Sequence, residues 1–332
     1  MRTLITGAAG FVGSHLVEHT MKNTDWYVVA LVKMDRAGDL NRLQELLDDH
    51  PEWKERIDVI RHDLNDSFNS IHKHIGEVDY IVHLAACSHV DYSIKEPVEV
   101  FCNNARTTVQ ALEYARTLQP KLKKFLYFST DEVYGPAPED YDFVEGDKLH
   151  PSNPYSAGKA AGEMITQAYG ITYGLPYLIT NTMNIFGERQ DPEKLVTKSM
   201  QYINEGQPMT IHGTPGNIGK RHWLHARNAA DATLFLLKNP IVNDKVHIVG
   251  DIELNNLDIF ERIAKAMGKD KIEEGKDYVF VDFHSTRPGH DSRYAMSGKK
   301  LADLGWVPPV DFEKSLGKTV KWTMERPNWI AK

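Results

Sequence analysis

Three proton-handling side chains stand together in Ser129-Thr130-Asp131-Glu132-Val133-Tyr134-Gly135: a hydroxyl at Thr130 and carboxyls at Asp131 and Glu132. Adjacent carboxyls in one pocket split their pKa values, which lets one serve as acid and the other as base. Further along comes Tyr155-Ser156-Ala157-Gly158-Lys159. A tyrosine and a lysine four apart on a helix share a face, and a nearby ammonium favours phenolate and lowers the tyrosine pKa. These five side chains suffice for redox chemistry at one carbon and proton transfer at its neighbours.

Such groups need a frame. The apolar run Phe125–Phe128 predicts a buried strand, which puts Thr130, Asp131 and Glu132 at its carboxyl end. Open parallel sheets bind their ligands at that end of the strands. His150-Pro151-Ser152-Asn153-Pro154 breaks the chain and starts a helix: Ser152 or Asn153 can cap it and Pro154 suits the first turn. That helix is expected to run to about Tyr169.

The start of the chain carries a second signal. Arg2–Thr6 predicts a strand, Gly7-Ala8-Ala9-Gly10-Phe11-Val12-Gly13-Ser14 follows, and a helical pattern runs to about Met21. Glycines so placed permit a tight turn, close approach of backbone to a pyrophosphate, and packing of helix on strand, while the helix N-terminus offers free N–H groups. Gly7, Gly10, Phe11, Val12 and Gly13 are therefore candidate dinucleotide contacts. A second strand, Trp26–Val32, ends without the acid that usually binds the adenosine ribose. Asp35 can reach a ribose hydroxyl, whereas Lys33 or Arg36 can meet a 2′-phosphate, so NAD and NADP both stay open. A third strand, Ile57–Arg61, ends at His62-Asp63-Leu64, where Asp63 can accept from an adenine amino group or form a turn. A fourth, Tyr80–Leu84, ends at Ala85-Ala86, small enough to let a flat cofactor pass.

Helices predicted over Gly38–His50 and Val98–Leu118, with a further strand at Leu175–Thr180, complete an alternation that implies an α/β fold with a doubly wound parallel sheet. After Asn184-Ile185-Phe186-Gly187 the rhythm breaks into shorter, mixed elements. Residues 1–184 are expected to form the dinucleotide-binding domain and 185–332 mainly a smaller C-terminal α/β substrate lobe, some segments returning to the first domain. Arg221 and Arg287, in apparent Gly/Pro-rich loops, suggest clamps for a phosphorylated ligand.

Bulk properties narrow the class. A chain of 332 residues, 41% apolar, can hold one large or two unequal lobes around a full core. A net charge of −7 argues against nucleic-acid binding. Cys87 and Cys102 make no disulfide framework. No apolar run reaches membrane-spanning length, and the first strand starts too near Met1 for a signal peptide, so a cytoplasmic protein is expected. The histidines form no helical ligand pair with a supporting acid; no metal is expected, and His62, His72 and His74 read as surface polar residues.

Taken with His83-Leu84-Ala85-Ala86, Ser88-His89-Val90-Asp91, Pro192-Glu193-Lys194-Leu195 and Arg287-Pro288-Gly289-His290-Asp291-Ser292-Arg293-Tyr294, these motifs resemble the extended short-chain dehydrogenase/reductases, and within them the nucleotide-sugar 4,6-dehydratases. The resemblance covers nearly the whole chain. It implies that Tyr155 takes the proton of the sugar C4 hydroxyl, that Thr130 hydrogen-bonds the same oxygen, that Glu132 removes the C5 proton, and that Asp131 protonates the departing C6 hydroxyl. It implies a tightly held NAD, contacted also by Leu64, Leu84, Ala85, Ala86, Ser88, Asn104, Tyr155 and Lys159. It implies a nucleotide-diphosphate hexose, dTDP-glucose first, held by Ser88, Thr130, Asn184, Lys194, Leu195, Arg221, Asn256, Arg287 and His290. It also implies a homodimer through a four-helix bundle built from the helices around Val98–Leu118 and Tyr155–Tyr169. Cys87, Tyr92, Asn181 (at an arginine position), His222 and Thr107 depart from the family pattern, several of them near the expected sugar or base pocket, which leaves UDP-, CDP- or GDP-hexoses open, and an epimerase or decarboxylase of the superfamily is the alternative.

Overall fold

The computed structural model describes residues 1–34, 38–282 and 292–330. In chain order the strands are β1 (Arg2–Thr6), β2 (Tyr27–Val32), β3 (Ile57–Arg61), β4 (Tyr80–His83), β5 (Lys124–Thr130), β6 (Tyr177–Thr182), β7 (Asn184–Phe186), β8 (Met209–Thr214), β9 (Asn217–Ile218), β10 (Lys220–His225), β11 (Asp244–Ile248), β12 (Ile252–Asn255), β13 (Tyr278–Val281) and β14 (Arg293–Tyr294). The helices that matter to the site are α1 (Phe11–Asn23), α2 (Asn41–Asp49), α3 (His72–Ile75), α4 (Val90–Lys95), α5 (Pro97–Leu118), α6 (Pro154–Tyr173), α7 (Leu195–Glu205), α8 (Ala226–Lys238) and α9 (Asn256–Ala266).

Seven strands form one sheet in the order β11-β6-β5-β4-β1-β2-β3, all parallel. A parallel sheet needs helices on both faces, so its central strands are buried on both sides. Every residue of β4 and of β5 is buried accordingly. One face packs against Leu16 and Val17 of α1 and Leu236 and Leu237 of α8. The other packs against Ala111 and Leu112 of α5. Strand order reverses between β1 and β4, which opens a crevice above their carboxyl ends.

Helix α8 and strand β11 lie beyond residue 184, and β11 pairs with β6 at the edge of the large sheet. The remaining later strands make two small sheets. In one, β10 pairs antiparallel with β12 and parallel with β14 and β7; the other runs β13-β8-β9. A separate core of Phe186, Met200, Trp223, Ile259 and Leu316 lies beneath the first of them.

Helix α6 carries Tyr155 and Lys159, so its placement matters most. Asn153 caps it in a reciprocal capping box with Ser156, Pro154 occupies its first turn, and Gly174 ends it in the left-handed region at φ +69°. A Cβ on Gly162 would stand 2.0 Å from the Tyr127 hydroxyl, which itself donates to the Lys159 carbonyl at 3.2 Å. Glycine at 162 thus lets α6 lie directly on β5. Gly162→Ala should cost roughly 1–3 kcal/mol by overpacking, read as a lower midpoint in denaturant unfolding.

Candidate active site

Strand β5 stops at Thr130 and the chain enters one turn of 3₁₀ helix, Asp131–Tyr134. The Thr130 hydroxyl donates to Asp131 Oδ1 at 2.8 Å, and the Glu132 N–H donates to the same oxygen at 3.0 Å. The other Asp131 oxygen is buried without a hydrogen-bond partner. Burial, and then the Glu132 carboxylate beside it, push the Asp131 carboxyl up to about 7. Glu132 Oε2 accepts from the Asn153 amide at 3.0 Å, so the residue that caps α6 also aims the second carboxylate. The pair is therefore asymmetric: Asp131 can hold a proton at neutral pH.

Tyr155 stands in the first turn of α6 and is buried. Burial, and then the Glu132 and Asp131 carboxylates, raise its phenol above the usual range, opposed by a hydrogen bond with Thr130. Lys159 donates its ammonium to the Phe128 carbonyl at 2.6 Å, lies 4.4 Å over the Tyr127 ring, and is lowered by burial to about 7. The expected lowering of Tyr155 by Lys159 is thus not what the fold produces. The ammonium serves a strand carbonyl, while two acids face the phenol.

All of this opens onto one cavity of about 790 Å³. Thr130, Asp131, Glu132, Tyr155 and Lys159 line it together with Gly7, Gly10, Phe11, Val12, Gly13, Lys33, Asp63, Leu64, Leu84, Ala85, Ala86 and Ser88. Asn184, Lys194, Leu195, Arg221 and Asn256 line it from the smaller sheets' side. Asn104 does not. It is buried behind the wall, where its amide accepts from the Cys87 N–H at 2.8 Å and donates to the Cys87 carbonyl at 3.0 Å, holding the backbone at Cys87. Asp35, Arg36, Arg287 and His290 lie outside the described residues.

The glycine turn fits a dinucleotide on geometry. Gly7 has φ +68°, and a Cβ there would meet Ala85 backbone at 3.0 Å; a Cβ on Gly13 would sit 2.2 Å from the Gly7 carbonyl. Helix α1 has no side-chain cap at Gly10, which leaves its first N–H groups for a ligand. Lys33 pairs with Asp63 at 2.9 Å, and Asp63 also accepts from the Asn65 N–H at 2.9 Å, so Asp63 is both turn former and ion-pair partner.

Two further expectations change. Arg221 lies not in a loop but in β10, clamped between β12, β14 and β7. Its neighbour Asn184, with the amide oxygen toward the guanidinium, accepts from Nε at 3.2 Å and Nη1 at 3.0 Å. His62 lines the cavity rather than the outer surface. Sequence reasoning also missed the pairing of His89 Nε2 with Glu193 Oε2 at 3.4 Å, which joins two stretches of the cavity wall. Among the described residues no group of three or more His, Cys, Asp or Glu is placed to hold a metal ion.

Asp131→Asn gives a test of the buried acid. A carboxyl raised from 3.8 to about 7 leaves the folded state undisturbed below pH ~4, where both states are protonated, and destabilises it as pH rises toward about 7. The melting temperature of Asp131→Asn should therefore match the parent near pH 4 and exceed it by a widening margin up to about pH 7.

The model of the GDP-mannose 4,6 dehydratase family matches residues 4–319. The dTDP-glucose 4,6-dehydratase of Haemophilus influenzae is 36% identical over 97% of this chain and 97% of its own. The low-salt glycan biosynthesis protein Agl12 of Haloferax volcanii is 35% identical over 97% of this chain and 98% of its own. The crystal structure of dTDP-glucose 4,6-dehydratase from Bacillus anthracis in complex with NAD superposes with a TM-score of 0.86 at 30% identity, covering 99% of this chain and 98% of that one. A match spanning both the glycine turn and the Thr130–Glu132 strand end makes this chain a member of the GDP-mannose 4,6 dehydratase family, within the extended short-chain dehydrogenase/reductases.

Proposed function

We propose that the protein is an NAD-dependent nucleotide-sugar 4,6-dehydratase that converts dTDP-glucose to dTDP-4-keto-6-deoxyglucose and water. The observation that carries this is the shared cavity: a phenol, a carboxyl held near pKa 7 and a second carboxylate face one space beside a dinucleotide turn. NAD bound along the Gly7–Gly13 turn would supply a hydride acceptor for C4 and a donor for C6, with no net redox change. Lys33, a cation at the end of β2, is paired with the Asp63 carboxylate, which supports NAD over NADP.

The chain's own residues handle protons. Thr130 hydrogen-bonds the C4 oxygen and Tyr155 takes its proton. To take that proton Tyr155 must be a phenolate, which the cationic nicotinamide of bound NAD and Lys159, one turn along the same helix face, would favour against the burial that raises the phenol. The 4-keto group acidifies C5, and Glu132, aimed by Asn153, removes that proton. Asp131 gives its proton to the C6 hydroxyl, which leaves as water, and Glu132 returns to C5 the proton it removed when C6 regains a hydride. Arg221 and Asn184, with Lys194, Leu195, Asn256 and Ser88, hold the nucleotide diphosphate from across the cavity. Residues 1–184 with the returning α8 and β11 serve as the cofactor lobe, and most of the remainder as the substrate lobe.

Incubation with dTDP-glucose, then with UDP-, CDP- and GDP-hexoses, should yield a 4-keto-6-deoxy product detectable by mass; no product from any of them rejects the proposal. Glu132→Gln should slow elimination by roughly 10²–10⁴-fold while C4 oxidation continues, so bound reduced nicotinamide accumulates and is seen by its absorbance. Unchanged turnover in that variant would select the epimerase or decarboxylase instead. Elimination should also fall as pH rises through about 7, where Asp131 loses its proton.

The second copy expected by resemblance also has a physical motive. Val98, Phe101 and Val109 on α5 and Met164 and Ile171 on α6 are exposed, and α5 packs on α6. An apolar face of this kind suits a homodimer through a four-helix bundle. Sedimentation should report a dimer, and Phe101→Glu with Met164→Glu should give a monomer. Two free cysteines and the absence, among the described residues, of any helix long and apolar enough to cross a membrane agree with a cytoplasmic setting.

A further inference from the structure

Behind the catalytic strand end lies a buried polar chain that the chemistry above does not use. Glu163, one turn beyond Lys159 on α6, is fully buried. Its Oε2 pairs with the Lys245 ammonium of β11 at 2.6 Å, and its Oε1 accepts from the Asn181 amide at 2.6 Å. Asn181, on β6, donates from the same amide nitrogen to the Thr130 carbonyl at 3.0 Å. Lys245 also donates to the Tyr134 hydroxyl at 3.4 Å, which shares a 2.8 Å hydrogen bond with His247.

Burying an ion pair costs desolvation that its attraction only roughly offsets, so a buried pair is weak as a stabilising device. What this one does is hold the Asn181 amide in a single orientation. The Thr130 carbonyl it grips belongs to the last register pair of β5 with β6, Thr130 with Thr182. That carbonyl also belongs to the planar peptide unit that carries the Asp131 N–H. Its direction therefore sets the direction in which Asp131, and then Glu132, leave the strand. From this geometry we infer that Asn181 is a positioning residue for the Asp131/Glu132 acid–base pair, held in place by the buried Glu163–Lys245 pair. The Thr130 side chain and Tyr155 depend on it less, because strand pairing and the cap of α6 hold them independently. The inference rests on the dehydratase reading for its kinetic consequence, but not for its structural one.

Two measurements test it. Amide hydrogen exchange over Asp131–Tyr134, which needs no substrate, should be about tenfold faster in Asn181→Ala than in the parent. On mixing with dTDP-glucose, elimination in Asn181→Ala should fall roughly 10- to 100-fold relative to C4 oxidation, so bound reduced nicotinamide accumulates transiently. A neutral double variant, Glu163→Gln with Lys245→Met, keeps an acceptor for Asn181 and should hold the ratio of the two steps within about twofold; Glu163→Leu with Lys245→Met removes the acceptor and should lower it. If Asn181→Ala fails to fold, these two double variants decide the matter. Unchanged exchange, or oxidation and elimination falling together in Asn181→Ala, or equal ratios in the two double variants, overturns the inference. A parent that makes no product from any sugar nucleotide rejects the dehydratase reading instead, and the exchange measurement still judges Asn181.

Discussion

The close seating of α6 on β5 is the constraint on which the rest depends. Tyr155 and Lys159 belong to the helix; Thr130, Asp131 and Glu132 belong to the strand end. Side chains from the two elements can meet only if the axes approach within the reach of small residues. Gly162 opposite Tyr127, and the Tyr127 hydroxyl bonded to the Lys159 carbonyl, set that distance. Interiors packed at crystal density cannot absorb an added methyl there without moving one element. The same helix begins at Asn153, whose side chain caps it and also reaches Glu132, so the start of the helix and the aim of the carboxylate are one event.

Electrostatics follow from that seating. A strand end shielded by a helix is poorly solvated, and a carboxyl there resists ionisation. Asp131 bears that cost while Glu132 is hydrogen-bonded by Asn153, which makes neighbouring residues of one chemical type unequal. The same shielding pulls Lys159 down to about 7 and raises Tyr155. A site that burdens its own fold in this way is a familiar trade between stability and activity. On the far wall Arg221 has the Asn184 amide oxygen toward it and lies 5.6 Å over the Tyr294 ring.

Much of this was legible in the order of residues. Continuous apolar strands, the glycine turn between β1 and α1, and Asn153-Pro154 before α6 are local signals, each with a local physical cause. They locate the parallel sheet and put nearly every described candidate on one cavity. The small sheets were harder. Strands of two to four residues, such as β7 and β14, are too short for a period to show, and β10 reads as a basic loop because its partners lie far away in sequence.

Sequence by itself determined which chemical groups exist, which strand and helix carry them, and that they meet at the carboxyl edge of a parallel sheet, because spacing and hydrophobic pattern are properties of neighbours along the chain. Only the tertiary structure decided that Lys159 spends its ammonium on the Phe128 carbonyl, that Asn104 supports the Cys87 backbone instead of lining the cavity, and that Asn181, Glu163 and Lys245 stand behind the Asp131–Tyr134 turn. Those facts depend on desolvation and on contacts between residues tens of positions apart, which exist only once the chain has folded.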